Sequence, residues 1–226
     1  IIDSEIVFLC VPTPQGDDGS CDTSIITSVL KELSKKSYTG IVAIKSTVEC
    51  GFTQTAIDEY TNLTLCFVPE FLRERCALDD FIHNHNLLAV GTHDKFVFDK
   101  LVEAHGHYPK DTAKLKPTEA EILKYYNNVF AAYKIIFANI MAEVCGKLNC
   151  DYTTVKDAFI KFGRCKDTYL DVNENLKGYG GMCLPKDVKA MTKLLEKLNI
   201  DFDTFKSIDN DNSKLKTTVF NGMRKR

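Results

Sequence analysis

The chain has 226 residues, of which 44% are hydrophobic and 27% are charged, and its formal net charge at pH 7 is -2. A chain of this length and apolar content can bury a sizeable core, so we expect a soluble globular protein with one large domain or one and a half ordinary ones. The near balance of 29 Lys+Arg against 31 Asp+Glu leaves no broad basic surface, which argues against nucleic acid as a partner; the one local basic cluster is residues 224–226.

The cysteine content indicates a reducing compartment. The nine cysteines are scattered without C-x-x-C spacing, and Cys10, Cys66 and Cys145 fall in apolar runs typical of a core. Reduced thiols in a cytoplasm fit this distribution best. No signal peptide opens the chain and no apolar run approaches the length of a bilayer span, so no membrane partner is expected. Because the chain starts at Ile1, shortly before a predicted strand, we interpret it as a fragment of a longer polypeptide; a processed short protein is the alternative.

The first half of the chain alternates predicted strands and helices. The apolar run 6–11, stopped by Pro12, predicts a strand buried on both faces. Further strands are predicted at 41–44, 63–68 and 87–90, and helices from the Asp22-Thr23 cap to near Gly40, at 51–60 and at 95–104. This alternation indicates βαβ crossovers and a doubly wound, Rossmann-like parallel sheet.

From Thr118 onwards the pattern is helical. Residues 119–148 contain no Pro and keep a helical period of apolar positions for much longer than an average helix, which predicts a long helix between two domains. Two further helices are predicted at 155–162 and 185–198, separated by a polar loop at 164–177. The expected fold class is therefore α/β, with a partial doubly wound parallel sheet, a long central helix and an all-helical domain.

The glycine-rich segment 178–187 is the strongest candidate for chemistry. Pro185 suits the first position of a helix, so Cys183 lies just ahead of a helix N-terminus. Unpaired N–H groups and the positive end of the helix dipole favour a thiolate there, and the glycines allow close approach of a ligand. A nucleophile is one interpretation; a small apolar residue that fills a turn is the more common role of an arbitrary cysteine.

Other candidates are polar pairs at helical spacing. Lys124 and Asn128, four residues apart on the long helix, could together hold an oxyanion, although such pairs more often belong to a solvated face. Asp187, four residues after Cys183, could orient a water or the thiol; a first-turn Asp also favours the helix dipole.

Three predicted strand ends converge at the carboxyl edge of the sheet, where open α/β sheets bind ligands. They are residues 12–14, 46–48 and 69–74, and the last offers two carboxylates as base and cofactor contact; an ordinary capped loop is the alternative. The five histidines show no ligand spacing, so no metal is expected. No G-x-G-x-x-G motif occurs, so the phosphate-cradling turn of a dinucleotide site is expected before Ile1.

In this order, the motifs resemble those of the UDP-glucose/GDP-mannose dehydrogenase family, and by eye its UDP-glucose 6-dehydrogenase branch most closely. The matching segments cover most of the chain: 11–14 with 17–22, 45–48, 69–74, 119–124 with Asn128, and 178–187. The chain departs from the family pattern at three places: Glu49 stands for Pro, Asn139-Ile140 for Asn-Glu, and Asn175-Leu176 for Pro-Gly.

The resemblance implies oxidation of the primary alcohol of a nucleotide sugar, with UDP-glucose as the first choice, to a carboxylate by two NAD⁺. Cys183 would form a thiohemiacetal and then a thioester. Lys124 and Asn128 would stabilise the oxyanion, Thr47 and Asp187 would position a water or assist proton transfer, and Glu70 would activate the hydrolytic water. The implied substrate contacts are Phe71, Leu72, Arg73, Lys124, Asn128, Gly180 and Gly181, and the implied NAD contacts are Thr13, Thr47, Glu74 and Lys186. A relative acting on GDP-mannose or a UDP-N-acetylhexosamine and a non-catalytic assembly remnant are the alternatives.

The resemblance also implies the domain organisation. Residues 1–113 would be the back part of an NAD-binding domain without its first βαβ unit, and 114–205 the long helix and helical core with the catalytic Cys. Residues 206–226 would begin a linker to an absent nucleotide-binding domain. In the family the long helix builds a homodimer, and the same is expected here.

Overall fold

A computed structural model describes residues 2–16 and 19–215 of the chain, apart from the side chain of Glu74. The chain divides into two units, Ile1–Tyr125 and Tyr126–Arg226. Three predicted features lie partly or wholly outside the described residues: positions 17 and 18 of the family segment 17–22, the basic cluster 224–226 and most of the expected linker.

The first unit is α/β and the second is helical. In chain order the elements are β1 (Ile6–Leu9), α1 (Ser24–Lys35), β2 (Ile41–Ile44), α2 (Phe52–Glu59), β3 (Thr64–Phe67), α3 (Ala77–His83), β4 (Leu88–Gly91), α4 (Lys95–His105), β5 (Thr112–Leu115), α5 (Pro117–Lys147), α6 (Tyr152–Lys161), α7 (Leu184–Lys197) and α8 (Thr204–Lys214). A short 3₁₀ helix, Glu74–Cys76, precedes α3. All four predicted strands and all predicted helices are present. Strand β5 and helices α3 and α8 were not predicted, and the expected linker begins inside α8.

The five strands form one mixed sheet in the order β1-β2-β3-β4-β5. Strand β1 pairs with β2, β2 with β3 and β4 with β5 in parallel, but β3 and β4 are antiparallel. The α/β class is confirmed, and the direction of β4 and β5 differs from the expected all-parallel sheet. A strand buried on both faces is a continuous apolar run whichever way it points, so the apolar pattern does not encode direction.

The sheet is covered on both faces, as a doubly wound arrangement requires. Val42 and Ile44 of β2 pack in a cluster with the buried face of α1, including Ile26 and Leu30. Alternate residues Ile41 and Ala43 point the other way and pack in a second cluster with Val97 and Leu101 of α4. The period of two along a strand thus sends successive side chains into two cores.

Helix α5 contributes to both units. Of the described helices it alone is long and apolar enough, by length and composition, to cross a membrane, whereas no run of this kind was expected from the sequence. Its buried side chains include the polar Glu121, Asn128 and Asn139. Buried polar groups need protein partners, so this is the pattern of a core helix in a folded protein.

The second unit packs α7 and α8 against the second half of α5. Its core contains Val129 and Ile136 of α5, Val188 of α7, Ile208 of α8 and Tyr179. Tyr179 belongs to the glycine-rich segment that leads into α7, which we call the glycine turn. The glycine turn therefore lies against a packed core, which gives the residues that follow it a defined position.

Candidate active site

Cys183 is exposed and stands immediately before α7. Its carbonyl accepts the N–H of Asp187 at 2.9 Å, which is the first hydrogen bond of the helix. Pro185 was predicted to be the first residue of the helix, but α7 begins at Leu184, so Pro185 is its second residue. Gly181 has a φ of 82°, a left-handed conformation that favours glycine. The turn thus presents an accessible thiol at a helix N-terminus, as a nucleophile requires.

Asp187 and Asn128 meet in the interior of the second unit. Asp187 is fully buried, and its Oδ2 accepts a hydrogen bond from Asn128 Nδ2 at 2.6 Å. The ammonium of Lys186 lies 3.0 Å from Asp187 Oδ1, close enough for an ion pair although not aligned for a hydrogen bond. From spacing alone, a Lys/Asn pair of this kind more often lies on a solvated face. Asn128 is instead buried and links α5 to the first turn of α7.

Lys124 belongs to the first unit, where it contacts the segment after β3. Its ammonium donates to the carbonyl of Glu70 and lies 5.7 Å from the ring centroid of Phe71. It is therefore held at the carboxyl end of β3, the edge at which ligands were expected. The convergence of Lys124 with Cys183 stays a prediction.

Glu70 is held as a carboxylate by neighbouring cations and amides. Its Oε2 lies 3.1 Å from the Lys45 ammonium, and its Oε1 accepts the N–H groups of Phe71 at 2.8 Å and Leu72 at 3.1 Å. Burial raises the pKa of Glu70, but Lys45 and the two N–H groups outweigh it, so the pKa is below its ordinary value. Because both oxygens are engaged, activation of water by Glu70 stays a prediction that requires one of these contacts to open.

The expected substrate segment 71–73 is fixed by carboxylates from within the first unit. Arg73 donates its backbone N–H at 3.0 Å and its guanidinium at 2.9 and 2.6 Å to Asp80 of α3. Hydrogen bonds from the Arg73 side chain and backbone hold the pKa of Asp80 well below its usual range. The N–H groups of Phe71, Leu72 and Arg73 are thus all donated to carboxylates. A ligand would have to contact carbonyls or side chains of this segment, or displace Glu70 and Asp80.

The ends of β1 and β2 are tied together at the carboxyl edge of the sheet. The Ser46 hydroxyl donates to the Val11 carbonyl at 2.6 Å, and the Cys21 thiol donates to the Thr47 carbonyl at 3.2 Å. The side chains of Thr13 and Thr47, both expected NAD contacts, are half-buried beside these bonds. Half-buried hydroxyls at adjacent parallel strand ends fit the edge of a dinucleotide site.

The remaining expected cofactor contacts lie elsewhere in the chain. The backbone of Glu74 forms part of the 3₁₀ helix and its side chain is outside the described residues, while Lys186 lies in α7. Within residues 2–16 and 19–215 no group of three or more His, Cys, Asp and Glu side chains is arranged to hold a metal ion.

Sequence reasoning missed Asp80 and gave Lys45 no role. Lys45 follows β2 directly and so shares the carboxyl edge with Glu70, a signal that the sequence did contain. Asp80 lies in a short helix that was not predicted, and no spacing rule pairs it with Arg73.

Two family models match the chain. The NAD binding domain of the UDP-glucose/GDP-mannose dehydrogenase family matches residues 1–107, and the central domain of the same family matches residues 118–214. The chain belongs to the UDP-glucose/GDP-mannose dehydrogenase family, as its motifs predicted.

Curated relatives and solved structures agree with this assignment. The UDP-glucose 6-dehydrogenase YwqF of Bacillus subtilis is 30% identical over 91% of this chain and 48% of its own length. The GDP-mannose 6-dehydrogenase of Pseudomonas aeruginosa is 28% identical over 94% of this chain and 52% of its own. The structure of a UDP-glucose dehydrogenase from Pyrobaculum islandicum superposes with a TM-score of 0.84 at 29% identity, over 94% of this chain and 51% of that one. The chain spans about half the length of the curated relatives that it matches.

Proposed function

We propose that this chain forms the NAD-binding and central part of a nucleotide-sugar 6-dehydrogenase that converts UDP-glucose to UDP-glucuronate. The observation that carries the proposal is the buried Asn128–Asp187 hydrogen bond beside the exposed Cys183. This hydrogen bond joins residues that are 59 positions apart in the sequence, and Asp187 lies one helical turn after Cys183. The same proposal assigns residues 1–113 to the NAD-binding domain, 114–205 to the helical core and 206–226 to the start of a linker.

The chemistry requires a nucleophile because an aldehyde must be oxidised to an acid. NAD⁺ supplies the hydride acceptor in each of the two oxidations. After the first oxidation, the Cys183 sulfur forms a bond to the aldehyde carbon, giving a thiohemiacetal. Loss of hydride from that carbon, with loss of the hydroxyl proton, gives a thioester. Water then cleaves the carbon–sulfur bond, which releases the carboxylate and restores the thiol.

The charged and polar groups around the turn have defined tasks in this proposal. Asn128 and Lys124 donate to the oxygen that becomes negative as sulfur attacks; each donor contributes about 3 kcal/mol in a water-poor site. Asp187, buried and bonded to Asn128, orients that amide and assists proton transfer with Thr47. Glu70 assists hydrolysis of the thioester. Phe71, Leu72 and Arg73, with Gly180 and Gly181, contact the sugar nucleotide, and Thr13, Thr47, Glu74 and Lys186 contact NAD.

The second candidate is the same reaction on another nucleotide sugar. The Pseudomonas aeruginosa GDP-mannose 6-dehydrogenase is nearly as similar to this chain as the UDP-glucose 6-dehydrogenase of Bacillus subtilis. The catalytic set proposed here contacts the reacting carbon and does not itself discriminate the base. A non-catalytic remnant is disfavoured because Lys124, Asn128, Cys183 and Asp187 are all present.

A substrate panel tests the proposal on the native full-length polypeptide. With UDP-glucose and NAD⁺ we expect a carboxylate product and two NADH per sugar, measured by mass spectrometry and absorbance. GDP-mannose and UDP-N-acetylhexosamines, tested in parallel, are expected to give little acid. Acid from GDP-mannose alone would transfer the proposal to the second candidate, and acid from none of them would refute it.

We also propose that the protein is a cytoplasmic homodimer that assembles through α5. An apolar stripe of exposed side chains runs along this helix: Tyr126, Phe130, Tyr133, Phe137, Ile140 and Val144. Their spacing alternates between four and three residues, which is the seam of a helix that packs against another helix. Exposed apolar stripes of this extent mark interaction surfaces. The family resemblance, in which the long helix builds a dimer, supports a second copy of the chain as the partner.

Substitution Phe137→Asp is expected to convert the dimer to a monomer, because it places a charge in the middle of the apolar stripe. Sedimentation velocity measures the change. The matched control is Gly146→Asp, which adds the same side chain on the opposite face of α5, where a new Cβ meets no atom within 4 Å. A dimer that survives Phe137→Asp would show that the stripe is covered in another way.

A further inference from the structure

The glycine turn that carries Cys183 is held by one side chain of α8. The Oδ1 of Asn212 accepts the backbone N–H of Tyr179 at 2.8 Å, and its Nδ2 donates to the Tyr179 carbonyl at 2.9 Å. The side-chain amide of Asn212 therefore hydrogen-bonds to both the N–H and the carbonyl of one residue. A neighbouring strand in an antiparallel sheet satisfies the same two groups in this way. Tyr179 stands four positions before Cys183, near the start of the turn.

The side chain of Tyr179 is fixed by the same helix. Its ring is buried in the core of the second unit with Ile208, and its hydroxyl lies 3.4 Å from Asp209 Oδ1. Burial and the nearby Asp209 raise the pKa of the Tyr179 hydroxyl, so it stays a donor over the whole physiological range. Asp209 and Asn212 are three residues apart and share one face of α8. That face therefore holds both the ring and the backbone of Tyr179.

Gly178 shows how closely Asn212 approaches the turn. Its φ is 74°, and a Cβ at this position would lie 2.4 Å from Asn212 Oδ1 and 2.9 Å from Leu215 Cδ1. Carbon atoms do not come this close to other atoms in folded proteins, so any side chain here would displace Asn212. Gly178 is required by contact with α8 as well as by its own backbone conformation.

We propose that Asn212 is a positioning residue for Cys183, acting through the backbone of the glycine turn. The inference rests on the proposed function, in which the thiol must meet the reacting carbon of the sugar. The segment between Tyr179 and Asp187 is anchored at both ends, by Asn212 at its start and by Asn128 at its end. Cys183 lies between the two anchors, so release of either end lets the sulfur move. A displacement of about 1 Å at a reacting group lowers turnover by about 10²-fold.

The experiment compares Asn212→Ala with Asn210→Ala in the native full-length polypeptide. Asn210 is an exposed residue of the same type on the same helix. For Asn212→Ala we expect kcat to fall by about 10- to 100-fold with little change in KM, because the thiol is misplaced while the substrate contacts stay. Asn212→Asp keeps the acceptor for the Tyr179 N–H and loses the donor, so its kcat is expected between wild type and Asn212→Ala. Asn210→Ala is expected to keep wild-type kcat and KM.

Amide hydrogen exchange gives a readout that does not depend on dehydrogenase activity. Peptides covering residues 178–184 are expected to exchange about tenfold faster in Asn212→Ala than in wild type, since the clamp on Tyr179 is lost. Unchanged exchange, or a kcat equal to wild type, overturns the inference. A proportionate loss of kcat in Asn210→Ala also overturns it, because the effect would then be a general weakening of α8.

The failure of the proposed function has a different signature. If the wild-type protein oxidises no nucleotide sugar, the dehydrogenase proposal fails. Exchange of 178–184 and the rate at which iodoacetamide modifies Cys183 then decide the positioning role: a change in both on Asn212→Ala supports it, and no change in either overturns it.

Discussion

Replacement of Cys183 by Ser in the full-length polypeptide is expected to abolish formation of the sugar acid. A hydroxyl at this position is a far weaker nucleophile than a thiol, so no ester intermediate accumulates and the second oxidation does not occur. The rate of sugar-acid formation, measured by mass spectrometry, is expected to fall by more than about 10³-fold, the scale seen when a covalent nucleophile is removed from an enzyme. The structure supports this role because Cys183 is exposed at the start of α7 rather than sealed in the core.

The matched control for this experiment is Cys150→Ser. Cys150 is another exposed free cysteine of the second unit, and no part of the proposed mechanism uses it. The Cys150→Ser variant is expected to keep full activity. In the wild-type protein, Cys150 is expected to be alkylated by iodoacetamide independently of substrate, whereas bound nucleotide sugar is expected to protect Cys183. Retained formation of the sugar acid by Cys183→Ser would refute the assigned role of the thiol, whatever the substrate panel shows.

The elements of this fold could be predicted where local chemistry decided them. Strand β2 is a short apolar run between turn residues, and α5 keeps a helical period with no Pro after its first residue, so both were found with nearly the observed bounds. Strand β5 was missed because its sequence TAKL has only two apolar residues, and these alternate residues are only half-buried. The reversed direction of β4 was missed because pairing partners, rather than the apolar pattern, determine direction.

In the candidate site, too, the residues that could be predicted are those whose positions are set by local spacing. Cys183 and Asp187 could be placed together because a helix start fixes positions four residues apart. Asn128 joined them only by virtue of the family resemblance, since its contact with Asp187 bridges 59 positions. Asp80 and Asn212 were not found at all. Asp80 lies in a short helix that was not predicted and binds Arg73, seven residues earlier. Asn212 binds backbone groups 33 positions away, and no sequence pattern predicts such a contact. Hydrogen bonds from side chains of one element to the backbone of another are therefore the part of the site that only the three-dimensional structure shows.

Substitution Glu121→Ala is expected to destabilise the first unit by about 3 kcal/mol, the largest stability effect that we predict for a single side chain. Glu121 of α5 is fully buried, and its carboxylate accepts the N–H groups of Gly51 at 2.6 Å and Thr53 at 2.8 Å. These N–H groups belong to the start of α2, where backbone donors have no partner within the helix. Alanine would leave both of them without this acceptor, the Thr53 N–H in a buried position, and would open a cavity. The denaturant midpoint of unfolding measures the loss, and Glu32→Ala on the exposed face of α1 is the control that should change it little.

The pH dependence of stability distinguishes the two states of this carboxyl. Burial raises the pKa of Glu121 above its ordinary value of 4.5, and the hydrogen bonds from Thr53 and Gly51 only partly oppose it. Between the unfolded and the folded pKa the folded state binds more protons, so the contribution of Glu121 to stability is complete below pH 4.5 and declines as pH rises through the folded pKa. Glu121→Gln removes this titration. The difference in unfolding free energy between wild type and Glu121→Gln should therefore be greatest at acid pH and become smaller towards neutrality. A difference that grows with pH would mean that the hydrogen bonds from α2 outweigh burial, and that the carboxylate is the preferred form in the folded protein.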